Sequence, residues 1–221
     1  MTTESAFDIT LGQIEDLRLD RSKPLVICDV DEVVVHFIAG LERYLHRNEL
    51  WLDPASFGLN GNVKYNGTDV AVAADDLQGH FAAFFNDEIH QLDPIEGAAS
   101  ALSDLSEHAN VLMLTNLPDK YRDARMKNLA EHNMPYPVVT NQGPKGPAVH
   151  ALKTRYDSPA VFIDDIPNYL NSVSESCPDV HLIHFMQDDR FGRHLPELDY
   201  VSLRTDNWPA THSHIRSLLT L

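Results

Sequence analysis

The sequence predicts an open, doubly wound α/β sheet, mostly parallel, that carries a small, mainly helical insert. Three observations predict it. Four short apolar runs each stop at a polar or turn-forming residue, as strands buried on both faces of a parallel sheet do. Stretches with helical periodicity lie between the runs, so strand and helix alternate. One interval, residues 36–93, is too long for a simple connection and has elements of its own.

In chain order, the N-terminal stretch is polar, with a weak helical pattern at Leu11, Ile14 and Leu17. Pro24-Leu25-Val26-Ile27-Cys28 is the first strand, ending at Asp29. The insert opens with a helix near 37–47 and passes through the turn-rich Gly58-Leu59-Asn60-Gly61-Asn62. It continues as a helix over 70–86 that carries Val72, Leu77, Phe81 and Phe84. Asp93-Pro94 reads as N-cap and first residue of the next helix, with Ala98, Ala99, Leu102 and Leu105 on its apolar face. Val111 to Leu114 is the second strand, ending at Thr115, and Pro118 opens a helix towards His132. Shorter helices over 146–155 and 167–175 flank the third strand, Ala160 to Ile163, which ends at Asp164. Val180 to Phe185 is the fourth strand and Pro209 to Leu219 the last helix. The expected division is a core of residues 1–35 and 94–221 with an insert of residues 36–93 placed over one end of the sheet.

Composition narrows the function. The 221 residues are 43% hydrophobic and 23% charged, which suits one globular domain with a modest insert and not a disordered chain. Thirty-three acidic against seventeen basic residues give a net charge of −16, which disfavours a nucleic-acid polymer or an anionic membrane as partner. No apolar stretch approaches the ~18 residues of a membrane span, and Met1 to Asp20 lacks the apolar centre of a secretory signal. Cys28 and Cys177 do not make a disulfide framework, so a reducing cytoplasm is expected.

The chemistry collects at strand ends. Asp29, Thr115 and Asp164 close three buried strands on the carboxyl side, where ligands bind in open α/β sheets. Asp31 follows Asp29 two residues on, and Asp165 follows Asp164 directly. Crowded carboxylates repel one another, and a hard divalent cation such as Mg²⁺ relieves the repulsion. Lys145, in the turn Gln142-Gly143-Pro144-Lys145-Gly146-Pro147, is the cation available to balance this site and a bound phosphate. Other groups are weaker candidates. His181 and His184 fall on opposite faces of a strand, and His212 and His214 pair poorly on a helix. Cys28 reads as a small buried hydrophobe. Phe81, Phe84 and Phe85 read as insert core, and Asp188-Asp189-Arg190 with Arg193 as a solvated loop.

Leu25 to Val34 resembles the first motif of the haloacid dehalogenase-like (HAD) hydrolases, an apolar strand followed by Asp-x-Asp. Val111 to Asn116 resembles their second motif, Lys145 their third and Val161 to Asp165 their fourth, in order. The resemblance implies a Rossmannoid core with the insert as a C1-type cap. It implies a Mg²⁺-dependent phosphatase of small phosphorylated metabolites, with Asp29 as nucleophile and Asp31 as general acid and base. Asp29, Asp31 (through its main-chain carbonyl) and Asp164 would hold the metal. Asp165 would act on it through water or hold Lys145. Thr115, Asn116 and Lys145 would bind the phosphoryl group. Asp31 argues against dehalogenases, which lack that carboxylate. Glu32 stands where many relatives carry Gly, and a solvated or capping role is expected for it. A phosphotransferase or phosphomutase on the same site, or a non-catalytic metal-binding module, are the alternatives, and the substrate stays open among nucleotides, sugar phosphates and other organic phosphates.

Overall fold

The fold was obtained as a computed structural model that describes residues 5–221, so the first four residues of the N-terminal stretch lie outside it. Its elements begin with α1 (Ala6–Asp16), β1 (Leu25–Cys28), α2 (Phe37–Arg47), β2 (Leu50–Leu52), β3 (Val63–Tyr65) and α3 (Ala74–Asp87). They continue with α4 (Ala98–His108), β4 (Asn110–Thr115), α5 (Arg122–Glu131), β5 (Val138–Thr140) and α6 (Gly146–Tyr156). The chain ends with β6 (Ala160–Asp164), α7 (Pro167–Ser176), β7 (His181–Phe185), α8 (Asp189–Gly192), β8 (Leu203–Thr205) and α9 (Trp208–Leu219).

Six strands form one parallel sheet in the order β5-β4-β1-β6-β7-β8. Side chains alternate between its two faces. Val26, Cys28, Val111, Met113, Val161 and Ile163 point to one face, packing with buried residues of α2, α4 and α9. Leu25, Ile27, Leu112, Leu114, Ala160 and Phe162 point to the other, where α1, α6 and α7 cover them. Burial on both sides is why these strands are apolar throughout. From β1 the chain builds outward through β4 and β5, then crosses to β6 on the other side. The switch point therefore lies between β1 and β6, and ligands bind beside such points.

The helix expected to start at Asp93-Pro94 begins instead at Ala98, after Gly97 at φ 84°. The Asp-Pro pair is taken up by extended pairing. The amide of His36 donates to the Asp93 carbonyl at 2.9 Å, the amide of Ile95 to the Val34 carbonyl at 2.9 Å, and Pro94 bridges Val35. Both ends of the 36–93 excursion are thereby laced together. Between them lie α2, α3 and an antiparallel β2–β3 hairpin that spans the Gly/Asn-rich stretch, a hairpin that periodicity did not disclose. The helix expected over 70–86 starts four residues later, at Ala74. β5 and β8, three residues each, were also not expected.

Candidate active site

Register brings the acidic groups together. Cys28 pairs with Ile163 across β1 and β6, and the Asp29 amide donates to the Ile163 carbonyl at 2.9 Å. Asp29 and Asp164 are thus neighbours at the carboxyl edge of the sheet. Asp29, Asp164 and Asp165 each offer an oxygen, and these oxygens lie within 4.8 Å of one another, all on buried residues.

Lys145 immediately precedes α6 and is fully buried. Its ammonium donates to Asp164 Oδ2 at 2.7 Å and to Asp29 Oδ1. Lys145 is therefore held by Asp29 and Asp164, and not by Asp165. Burial works against its charge, but the carboxylates of Asp164 and Asp29 outweigh burial and raise it above the ordinary lysine range. Burial raises the Asp164 and Asp165 carboxyls, and Asp29 adds like-charge repulsion. With all three carboxylates ionised, one ammonium leaves a deficit of two positive charges, which protons meet in part and a divalent cation meets in full. The all-oxygen donor set suits Mg²⁺. Lys145 leaves room for it, because a carboxylate oxygen that accepts from the ammonium keeps a second lone pair.

Asp31 stands apart from this cluster. Its Oδ1 accepts from Arg125 Nη2 at 2.5 Å. Burial raises its carboxyl, Arg125 pulls it back and Asp29 pushes it up again, so the acid form gains overall. Arg125, on α5, is completely buried, and its Nε and Nη1 have no hydrogen-bond partner among the described residues. Sequence reasoning missed it. Little in the sequence marks it: Arg125, Asn128 and Leu129 form the buried face of α5, a helix with almost no apolar stripe.

Thr115 is buried, and its hydroxyl makes no hydrogen bond among the described residues. Asn116 accepts from Asn141 at 2.8 Å and donates to the Gly143 carbonyl at 2.8 Å, tying the end of β4 to the loop that delivers Lys145. Glu32 is not solvated. It is buried at φ 59°, and its Oε1 accepts from the Ile38 amide at 2.7 Å, so it caps α2 from outside the helix. Burial pushes its carboxyl up to about 7.

These groups open into a cavity of about 390 Å³, lined by Asp29, Asp31, Thr115, Asn116 and Asp165 on the sheet side. Glu32, Asp188 and a set of apolar side chains complete the lining. Phe84 is core as expected, but Phe85 lines the cavity and stacks near Phe37, with ring centres 6.0 Å apart. In the 188–193 segment Asp189, Arg190 and Arg193 are exposed as expected, but Asp188 faces the cavity, and Arg190 binds Asp188 Oδ2 and Glu42 Oε1, each at 2.7 Å. His181 is exposed, while the buried His184 ring meets the Asp165 carbonyl at 3.1 Å and makes no other hydrogen bond among the described residues. Burial pushes the Cys28 thiol well up.

No protein-family model matches the chain, and no curated protein matches it either. Solved structures do. A HAD family hydrolase from Deinococcus radiodurans R1, with bound phosphate and sodium, superposes with a TM-score of 0.62 at 14% identity, over 91% of this chain and 99% of that one. The putative HAD-hydrolase YfnB from Bacillus subtilis, bound to magnesium, gives 0.55 at 12% identity, covering 90% and 99%. A predicted phosphoglycolate phosphatase from Haemophilus somnus 129PT gives 0.57 at 11% identity, covering 86% and 97%. Identities this low speak for architecture alone. Together with the parallel sheet, its switch point and the buried aspartates there, they establish that the chain has the haloacid dehalogenase-like hydrolase fold.

Proposed function

We propose that this chain is a Mg²⁺-dependent phosphatase that hydrolyses a small phosphate monoester through an aspartyl-phosphate on Asp29. The observation that carries the reading is the meeting of Asp29, Asp164 and Asp165 around buried Lys145, beside a Thr115 hydroxyl without a partner. Asp29, the Asp31 carbonyl and Asp164 would hold the Mg²⁺, with Asp165 acting through water. When bound, the ion supplies Lewis-acid neutralisation of the phosphoryl charge. The phosphate on the Deinococcus structure and the magnesium on the Bacillus structure support both assignments.

Asp29 attacks phosphorus with the oxygen that Lys145 leaves free, and the bond from phosphorus to the ester oxygen breaks. Asp31 gives its proton to the departing oxygen, so the product leaves as a neutral alcohol. Water then attacks phosphorus and passes a proton to Asp31. The bond between Asp29 and phosphorus breaks, which returns both residues to their starting forms. Thr115 and the Asn116 amide donate to phosphoryl oxygens, and Lys145 steadies the charge on Asp29 and on the group in transfer. Residues 36–93 act as a cap that screens the site from water. The two buried, unpaired thiols of Cys28 and Cys177 suit a reducing compartment and support a cytoplasmic location.

The test is phosphate release from an aryl phosphate with Mg²⁺. Asp29→Asn removes the nucleophile with little change of shape and is expected to lower kcat by on the order of 10⁴-fold or more, with the circular-dichroism spectrum of the folded protein retained. Wild-type activity in that variant would take Asp29 out of the mechanism.

A further inference from the structure

Apart from its carboxylates, Thr115 and Asn116, the cavity is walled by aromatic and aliphatic side chains. Phe37 at the start of α2, Phe57 between β2 and β3, Phe85 on α3, Tyr169 on α7 and Phe191 on α8 all line it. Five separate segments thus converge on one apolar chamber, continuous with the groups at the sheet edge. Ile38, Leu59 and Met186 fill places between the rings.

The charges in the lining are as informative. No lysine, arginine or histidine lines the cavity among the described residues. The nearby cations are already engaged: Lys145 by Asp29 and Asp164, Arg125 by Asp31, and Arg190 by Asp188 and Glu42. A second phosphate or carboxylate on the substrate would be stripped of water against rings, with no free cation in the lining to pair with it. A polyhydroxylated leaving group would bury hydroxyls with few partners, each unpaired one costing about 1–3 kcal/mol. The carboxylates of Glu32 and Asp188 do not amount to a site for an ammonium group either. Asp188 is neutralised by Arg190, and Glu32 is committed to the α2 amide.

From this lining, and resting on the phosphatase reading above, we infer that the substrate is the phosphate monoester of an uncharged, aromatic alcohol, and that esters bearing a second anionic group are rejected. The phosphoryl group goes to Thr115, Asn116 and the acidic cluster. The organic part lies among the rings of Phe37, Phe57, Phe85, Tyr169 and Phe191. A cavity of about 390 Å³ is of the size that takes small organic ligands rather than chains. The selectivity separates this chain from the phosphoglycolate class named for one of its structural neighbours, whose substrate carries a carboxylate beside its phosphate.

The experiment measures kcat/KM with Mg²⁺ for benzyl phosphate, phosphoglycolate, glycerol 3-phosphate and phosphocholine. All four release an alkyl alcohol, so leaving-group chemistry does not dominate the ranking. Benzyl phosphate is expected to exceed each of the others by at least about 100-fold. Calorimetry with benzylphosphonate and phosphonoacetate, which are not hydrolysed, is expected to show the same order in binding. Leu59→Arg, which puts a cation into the lining, is expected to lower turnover of benzyl phosphate and raise that of phosphoglycolate. Turnover that depends on Asp29 but is equal among the esters, or favours phosphoglycolate, glycerol 3-phosphate or phosphocholine, overturns this inference and leaves the phosphatase reading standing. Absence of phosphate release from all four, and from the aryl phosphate, overturns both.

Discussion

Lys145 has no exposed surface, yet its ammonium is charged and held between two carboxylates. Such a cation is costly to bury and costlier to remove. Breaking a buried ion pair by deleting one partner destabilises by about 3–5 kcal/mol, because the other partner is left buried and unpaired. Lys145→Met keeps the length and apolar stem of the side chain and deletes the charge. In the absence of Mg²⁺ its Tm is expected to fall well below that of the wild type. Added Mg²⁺ is expected to raise the Tm of the variant more than that of the wild type, since the ion then takes over the balancing of Asp29 and Asp164. Thermal melts of both proteins with and without Mg²⁺ decide it, and an unchanged Tm in the metal-free variant would mean that the aspartates do not depend on Lys145. The meeting of Asp29, Asp164 and Asp165 was legible because the first two close buried strands and the third follows directly. Arg125 was not, because a lone arginine in a polar helix looks solvated until the helix is packed.

At the scale of elements, α6 and α7 meet at Gly146, directly after Lys145. Its amide donates to Ser172 Oγ at 3.0 Å, and a Cβ there would sit 2.2 Å from the Ser172 carbonyl oxygen. The helices approach this closely only because position 146 has no side chain. Gly146→Ala is expected to cost about 1–3 kcal/mol by forcing α6 from α7, and to lower phosphate release because Lys145 moves with the start of α6. Gly12→Ala is the matched control. Gly12 lies in α1 with nothing within 4 Å of a built Cβ, so the same substitution there is expected to stabilise by about 0.4–1 kcal/mol. Denaturant melts compare the two, and equal effects would show that the α6–α7 contact does not require glycine. Elements that bury four or more apolar residues in succession, β1, β4 and β6, were legible from periodicity. The three-residue strands β2, β3, β5 and β8 offer too short a pattern. Asp93-Pro94 has the chemistry of a helix start, but pairing with residues 34–36 claims it first, a tertiary demand that local sequence does not announce.

Across the whole molecule, the long excursion was readable as surplus length, while the lacing of its ends, His36 to Asp93 and Ile95 to Val34, required the fold. The same holds for the clasp between distant helices on one face of the sheet. Asp104 on α4 accepts from Arg216 Nη1 at 2.7 Å and meets His212 Nε2 at 2.8 Å, both on α9. Hydrogen bonds from His212, then from Arg216, hold the Asp104 carboxyl below its ordinary value of 3.8. A carboxyl depressed by folding contributes stability that is fully present above its unfolded value and is lost as pH falls through the lower folded value. In a chain of net charge −16, a carboxylate that has found two basic partners is also one that the remaining acids repel less. Asp104→Asn is therefore expected to melt below the wild type at pH 7, with the gap closing as pH is taken from 5 to below 3.8. Added salt is expected to narrow the gap at pH 7, since the clasp is open to solvent and screened. Tm measured across that pH range for both proteins checks it: a gap that stays constant with pH would show that the clasp holds α4 to α9 by packing alone, without the charge on Asp104.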